Sequence, residues 1–267
     1  MKLASLLLLA STPLVASLFF FQSALADQEP AGKDGLGDLT RVFEENGIRL
    51  DLDRKLCSIN ASVAVREELL EYLLVASYGA SHESLFVTKT SPSVLNTAFL
   101  ALGVEPGSNA RWGPKDPPPS EEEMKRGASP YDITPPKGDG FFLYAAWEAD
   151  GETYFYRVED LVRNLSTGRC MKRHRWVYLG SRMVEWEKQG ELAFAAEVMG
   201  NLVNIAFFEQ GDTMLTGSLP ECVEQSVWMG NSWLLPDREQ DLKLIFSRER
   251  LNSLPTGVLP EAKREDN

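Results

Sequence analysis

The sequence predicts an α+β fold: mostly antiparallel β-sheet, with a few short packed helices and a proline-rich insertion. Three observations predict it. Runs rich in aromatic and β-branched residues are separated by turn dipeptides, most clearly Asp150-Gly151 and Gly200-Asn201. Apolar residues recur at helical spacing only over short stretches, the clearest being Val94, Leu95, Ala98, Phe99 and Leu102. Eight of the 15 prolines fall between Pro106 and Pro136, where neither pattern persists.

In chain order, residues 27–46 read as a loose glycine-rich leader with a short helix from Leu39 to Asn46. Ile48 to Asp53 alternates apolar and charged residues, as a half-buried strand does. Between Val65 and Val75 the signals conflict: Leu and Glu favour helix, while Ala61 to Val65 is extended in character and Arg66-Glu67-Glu68 suits a turn. Glu83 to Thr88 reads as a strand. Ser91 and Pro92 then supply a cap and a first-turn proline for a helix that Gly103 ends. Residues 105–140 read as a surface insertion or linker, with at most a short helix near Ser120 to Arg126. Phe141–Ala149 and Thr153–Val158 form a hairpin about Asp150-Gly151. Val158 to Asn164 reads as a short helix and Arg175 to Ser181 as a buried strand. Leu192–Val198 and Leu202–Phe208 read as a second hairpin about Gly200-Asn201, and Leu242–Phe246 as the last strand. Residues 251–267 read as a disordered tail.

The first 26 residues have the form of a signal peptide. No acidic residue precedes Asp27, apolar residues dominate from Leu3 to Phe21, and Ala24-Leu25-Ala26 offers a small-x-small cleavage site. Cleavage between Ala26 and Asp27 leaves a periplasmic or secreted body with 39 acidic residues and 26 of the 27 basic ones. That negative surface argues against nucleic acid and, after cleavage, against a membrane as partners. Three cysteines are present. Cys170 with Cys222 is the candidate disulfide for an oxidising compartment, three buried thiols being the alternative. The absence of any CxxC spacing excludes zinc-finger and iron–sulfur ligand sets.

Three segments carry a family resemblance: Val63 to Val75; Gly79-Ala-Ser-His-Glu-Ser-Leu-Phe-Val87; and Ser91-Pro92 through Leu102-Gly103 to Pro106-Gly107. Together they resemble the YdjY domain, a family of exported bacterial proteins of unknown function. Trp176 to Ser181 and Phe194 to Val203 extend the likeness, which runs from about Asp51 to Phe246 with the proline-rich insertion apart. It implies that Ala61–Val65 and Leu69–Ser77 are the arms of a hairpin, and it joins 47–104 and 141–250 into one domain. Some relatives carry ferredoxin-like cysteine runs, but this chain has none, and Ala64 stands where members often have a cysteine. Electron transfer is therefore not carried over. The bacterial setting also discounts the Asn60-Ala-Ser62 and Asn164-Leu-Ser166 glycosylation patterns.

His82, Glu83 and Ser84 are the candidate binding residues, since a base, a carboxylate and a hydroxyl meet at the mouth of a strand. Strand alternation would put His82 and Ser84 on one side and Glu83 on the other. No nucleophile elbow accompanies them, and two histidines without ligand spacing give no metal site. Lys172-Arg173-His174-Arg175 is a basic run suited to an acidic partner or to a solvated loop. No cofactor is implied. The function expected is a non-enzymatic binding or interaction module for a protein or small-molecule ligand. The alternative is a hydrolase or metal-dependent enzyme centred on His82, Glu83 and Ser84.

Overall fold

The computed structural model describes residues 33–186 and 190–259. The expected signal peptide and its Ala26–Asp27 junction lie outside them. The chain divides into two units, residues 1–40 and 41–267, and the second holds nearly all of the described strands and helices. It begins inside α1 (Lys33–Glu45), where Phe43 is buried, and Gly47 at φ 68° turns the chain into β1 (Ile48–Asp51).

The main sheet is closer to a closed cylinder than to the open antiparallel sheet expected. Its strands are β2 (Leu56–Val63), β3 (Tyr72–Ala76), β4 (Ser84–Thr88) and, beyond the proline-rich stretch, β7 (Gly140–Ala149). The proline-rich stretch is itself ordered: β5 (Arg111–Pro114) pairs with β6 (Tyr131–Thr134), and α3 (Glu121–Lys125) between them starts with a Ser120–Glu123 capping box. β8 (Glu152–Arg157) folds back on β7 through Asp150 and Gly151, whose φ values of 53° and 78° are those of the tight hairpin turn expected. A small sheet joins β9 (Val162–Asn164), β10 (Arg169–Cys170) and, later, β16 (Trp228–Gly230). The helix expected over Val158–Asn164 is one 3-10 turn, Val158–Leu161, followed by β9. β11 (Trp176–Tyr178) precedes a ribbon of β12 (Met183–Trp186) and β13 (Glu191–Phe194). β14 (Asn201–Asn204), β15 (Leu215–Thr216) and β17 (Asp241–Ser247) complete the set.

Eight strands close the ring in the order β2, β17, β7, β11, β15, β14, β3, β4, with β4 returning to β2 through Ser62–Val87 and Val63–Phe86. Two joints, β3–β4 and β14–β15, are parallel and the others antiparallel. Closure hides the edges that an open sheet would leave to other chains.

Two expected hairpins are not formed. β3 pairs with β14 and β4 rather than with β2. Leu73, Leu74, Val75 and Ala76 are all buried, so both faces of β3 need cover, which suits a strand flanked on two sides. At Gly200-Asn201 the preceding residues form α4 (Ala195–Met199), and Gly200 at φ 73° caps it. The carbonyl of Gly200 accepts from the Ala76 amide at 2.7 Å, and a β-carbon on Gly200 would lie 2.9 Å from Gly79 Cα. The dipeptide thus serves a close chain crossing between α4 and β14.

Alternation along the strands sorts the cylinder's interior from its outside. Phe141, Leu143 and Ala145 of β7 and Leu244 and Phe246 of β17 join the main core. α2 (Pro92–Ala101) adds Phe99, whose ring centre lies 4.7 Å from that of Phe141 and 4.9 Å from that of Phe246. Ser91 caps α2 as expected, and Glu197 of α4 accepts from the Ser93 amide at 2.9 Å, placing a carboxylate at the positive helix end. Leu56, Phe142, Tyr144, Ala146 and Ile245 face outward and form a second cluster, closed over by Leu251, Leu254, Val258 and Leu259. Residues 251–259, expected as disordered tail, are therefore a strap across the outer wall; residues 260–267 lie outside the described residues.

Candidate functional site

The outer wall of β2 and β17 is the floor of a cleft of about 1250 Å³. On β2, Ile59, Ala61 and Val63 enter the core, so Asn60 and Ser62 face out. Lys243 of β17 stands opposite Asn60 in the antiparallel register, and Asp241 stands opposite Ser62. The Lys243 ammonium donates to Asn60 Oδ1. A β-carbon on Gly47 would come within 2.8 Å of Asn60 Nδ2, so the bare backbone at Gly47 leaves room for that amide.

Arg49 of β1 borders the same cleft and donates to the carbonyl of Gly257 in the strap, which supplies the opposite wall. Thr88 and Thr90 form the end near β4; the Thr88 hydroxyl donates to the Asn60 carbonyl at 2.6 Å, and that of Thr90 to the Asn46 carbonyl at 3.0 Å. Trp147 and Glu148 close the side near β7.

The cations Lys243 and Arg49 bond neutral partners here. Among the described residues, no carboxylate forms an ion pair with Lys243 or Arg49, and no cation forms one with Asp241 or Glu148. Partial burial, and then the nearby Arg49 charge, pull the Lys243 ammonium below the ordinary lysine range, with Asp241 acting the other way. Chemically the wall offers hydroxyls, an amide and charges of both signs on a rigid sheet. These are groups for holding a polar molecule.

Apart from the discounted Asn60-Ala-Ser62 glycosylation pattern, none of these residues stands out in the sequence as a site, although a trace is there. Asp241-Leu-Lys243-Leu and Asn60-Ala-Ser62-Val alternate polar with apolar residues, which marks an outward polar row. That the two rows lie side by side is not written locally, since Asn60 and Lys243 are 183 residues apart.

Of the residues expected to bind, His82 and Glu83 meet each other and Ser84 bonds elsewhere. His82 and Glu83 lie in a 3-10 turn (Ser81–Glu83), not on the strand, so the expected alternation fails there. The His82 side chain is 77 % exposed, with Nε2 3.4 Å from Glu83 Oε1. Glu83 faces Glu71, whose carboxyl is pushed up by burial and then by the Glu83 charge. Ser84 is fully buried on β4, and its hydroxyl donates to the Phe86 carbonyl at 2.8 Å.

The Cys170–Cys222 bond is not made; all three thiols are free. Cys222 is buried against Gly217, and burial pushes its thiol up to about 12, while Cys170 is exposed on β10 beside Asn231. The basic run is committed internally. Lys172 pairs with Glu221 at 2.5 Å, Arg173 with Asp160 at 2.7 Å and Arg175 with Asp139 at 3.7 Å, and the His174 side chain is 6 % exposed. Among the described residues no group of three or more His, Cys, Asp or Glu is arranged to hold a metal ion, and no helix is long and apolar enough to cross a membrane.

No protein-family model, curated protein or solved structure matches the chain.

Proposed function

We propose that the chain is an exported, non-enzymatic binding module of the YdjY type, which seats a small polar ligand in the cleft on the outer wall of its cylinder. The observation that carries the reading is that cleft. Its volume of about 1250 Å³ is ample beside the several hundred Å³ usual for small-molecule sites, and its floor is two long-paired strands rather than loops. Rigid sheet is the kind of scaffold that holds binding groups at fixed spacing. Ser84 is buried with its hydroxyl on the Phe86 carbonyl while the His82 side chain is largely exposed, which favours a module over a hydrolase built on them, because nucleophile and base must lie within hydrogen-bond reach.

The test is a thermal-unfolding screen of the purified chain against amino acids, short peptides, organic acids and sugars, repeated on Ser62→Trp, which fills the cleft. A ligand at a hundred times its dissociation constant adds about 2.7 kcal/mol, or roughly 5–10 °C for a chain of this size. At least one compound should raise the midpoint of the parent and leave Ser62→Trp unmoved. If no class moves the parent, the binding reading is lost. Export is tested separately, by the intact mass of the product made from the full sequence. A chain starting at Asp27 is expected, and one starting at Met1 would end that part of the proposal.

A further inference from the structure

The charges lining the cleft balance: Arg49, Lys89 and Lys243 against Glu45, Glu148 and Asp241. In a chain of net charge −12, such balance is local. Four of these charges, Lys243, Arg49, Asp241 and Glu148, are also sorted along the wall. Lys243 lies level with Asn60 on one side and Ala146 on the other, and Arg49 acts on its ammonium. Asp241 and Glu148 are each two residues further along, Asp241 beyond Lys243 and Glu148 beyond Ala146, on the same outward face. Two residues of strand span about 7 Å.

A simple anion would gain Lys243 and Arg49 but meet Asp241 close by. A simple cation would meet the reverse. A molecule with both charges uses both ends, and an extended chain of two residues spans about the same 7 Å. Resting on the binding role proposed above, we infer that the ligand is a small zwitterion of dipeptide length. Its carboxylate is held by Lys243 and Arg49, with Asn60 keeping the lysine in place, and its ammonium lies at Asp241 and Glu148. The hydroxyl of Ser62 and the face of the sheet take the span between.

Calorimetric titration of the purified chain with dialanine, its C-terminal amide, its N-acetyl form and glucose tests this. Dialanine is expected to bind, and each capped form to bind at least about tenfold more weakly, as expected when one charged hydrogen bond is lost. Lys243→Met should weaken dialanine by a similar factor and reduce the further effect of amidation, and Asp241→Asn should do the same for acetylation. The capped ligands on the unaltered chain keep the test independent of how the variants fold. Equal binding of dialanine and its capped forms would overturn the inference. Binding of glucose with none of dialanine would overturn it too, while leaving the cleft as a binding site; binding of none of the four would count against both.

Discussion

Arg157 grips both oxygens of Glu159 inside the protein: Nε lies 3.0 Å from Oε2 and Nη2 2.5 Å from Oε1, and the glutamate is fully buried. Trp176 Nε1 donates to the same Oε1 at 3.1 Å, and Arg157 also donates to the His174 carbonyl at 2.7 Å. The guanidinium lies within 5.3 Å of the Phe142 and Tyr144 ring centres, an arrangement that favours the cation. Breaking such a pair from one side leaves a buried charge uncompensated. Glu159→Gln should therefore cost about 3–5 kcal/mol in urea unfolding. Replacing both partners with apolar residues of similar size should cost less than the single change. A double variant no more stable than Glu159→Gln would show that the charge pair itself is not what the single change exposes.

His174 adjoins this pair and makes stability depend on pH. Its Nδ1 lies 3.0 Å from the Lys172 carbonyl, which assigns the proton to that nitrogen, and its Nε2 is buried without a partner. Burial lowers its proton affinity, outweighing the pull of Glu159, whose Oε1 is 3.7 Å from the ring nitrogen; Arg157 acts with burial and Glu221 against it. The unfolded chain then takes up the proton first as pH falls. The contribution is complete above the ordinary imidazole value of about 6.5 and is lost progressively below it, with a slope of at most about 1.4 kcal/mol per pH unit. His174→Phe should flatten unfolding free energy against pH between about 6.5 and 5. An unchanged slope would assign the dependence to other groups.

Gly200 and Gly103 share nearly the same backbone, with φ of 73° and 72°, but not the same surroundings. A β-carbon at Gly103 meets nothing within 4 Å, whereas one at Gly200 meets Gly79 Cα at 2.9 Å and Gly79 N at 3.0 Å. Gly103→Ala should cost only the left-handed conformation, about 1–2 kcal/mol. Gly200→Ala should cost that and the displacement of a packed backbone, for a further loss of about 1–3 kcal/mol. Equal losses in chemical denaturation would mean that the crossing at Gly79 yields freely.

The features legible in the sequence are those whose causes lie within a few residues. Asp150-Gly151 specifies its turn because both residues accept positive φ. Ser91-Pro92 specifies a helix start because hydroxyl and ring act on the first turn alone. Gly200-Asn201 carries the same dipeptide signal, but the five residues before it form a helix, and the glycine becomes its cap. Closure of the cylinder is hidden for a different reason. It requires β4 to pair with β2 and β3 at once, and no local pattern distinguishes that from a hairpin. The cleft is half visible: the outward rows at Asn60 and Lys243 follow from alternation, but their meeting is a matter of register. The strap escapes notice because it runs straight on into the charged end from Glu261 to Asn267, while its fit depends on four apolar side chains meeting a distant wall.

That strap is held by Arg49 at Gly257, by Arg54 at Thr256 and, where it begins, by Tyr144 at Leu251. The Leu251 amide donates to the Tyr144 hydroxyl at 2.7 Å, and the Tyr144 ring stacks on Phe155 at 5.1 Å. Tyr144→Phe keeps the ring and its packing but leaves that amide without its acceptor, at a cost of about 1–2 kcal/mol. Val258, 4 % exposed, tests the apolar half: Val258→Ala removes two buried carbons, worth about 1.5 kcal/mol. Both changes should speed amide hydrogen exchange at Leu251 and Val258 far more than in the paired strands β2 and β17, because the strap can lift while the cylinder stays closed. Uniform acceleration across strap and cylinder would instead mean that the two unfold as one unit. The strap would then be an integral part of the wall, unable to lift on its own.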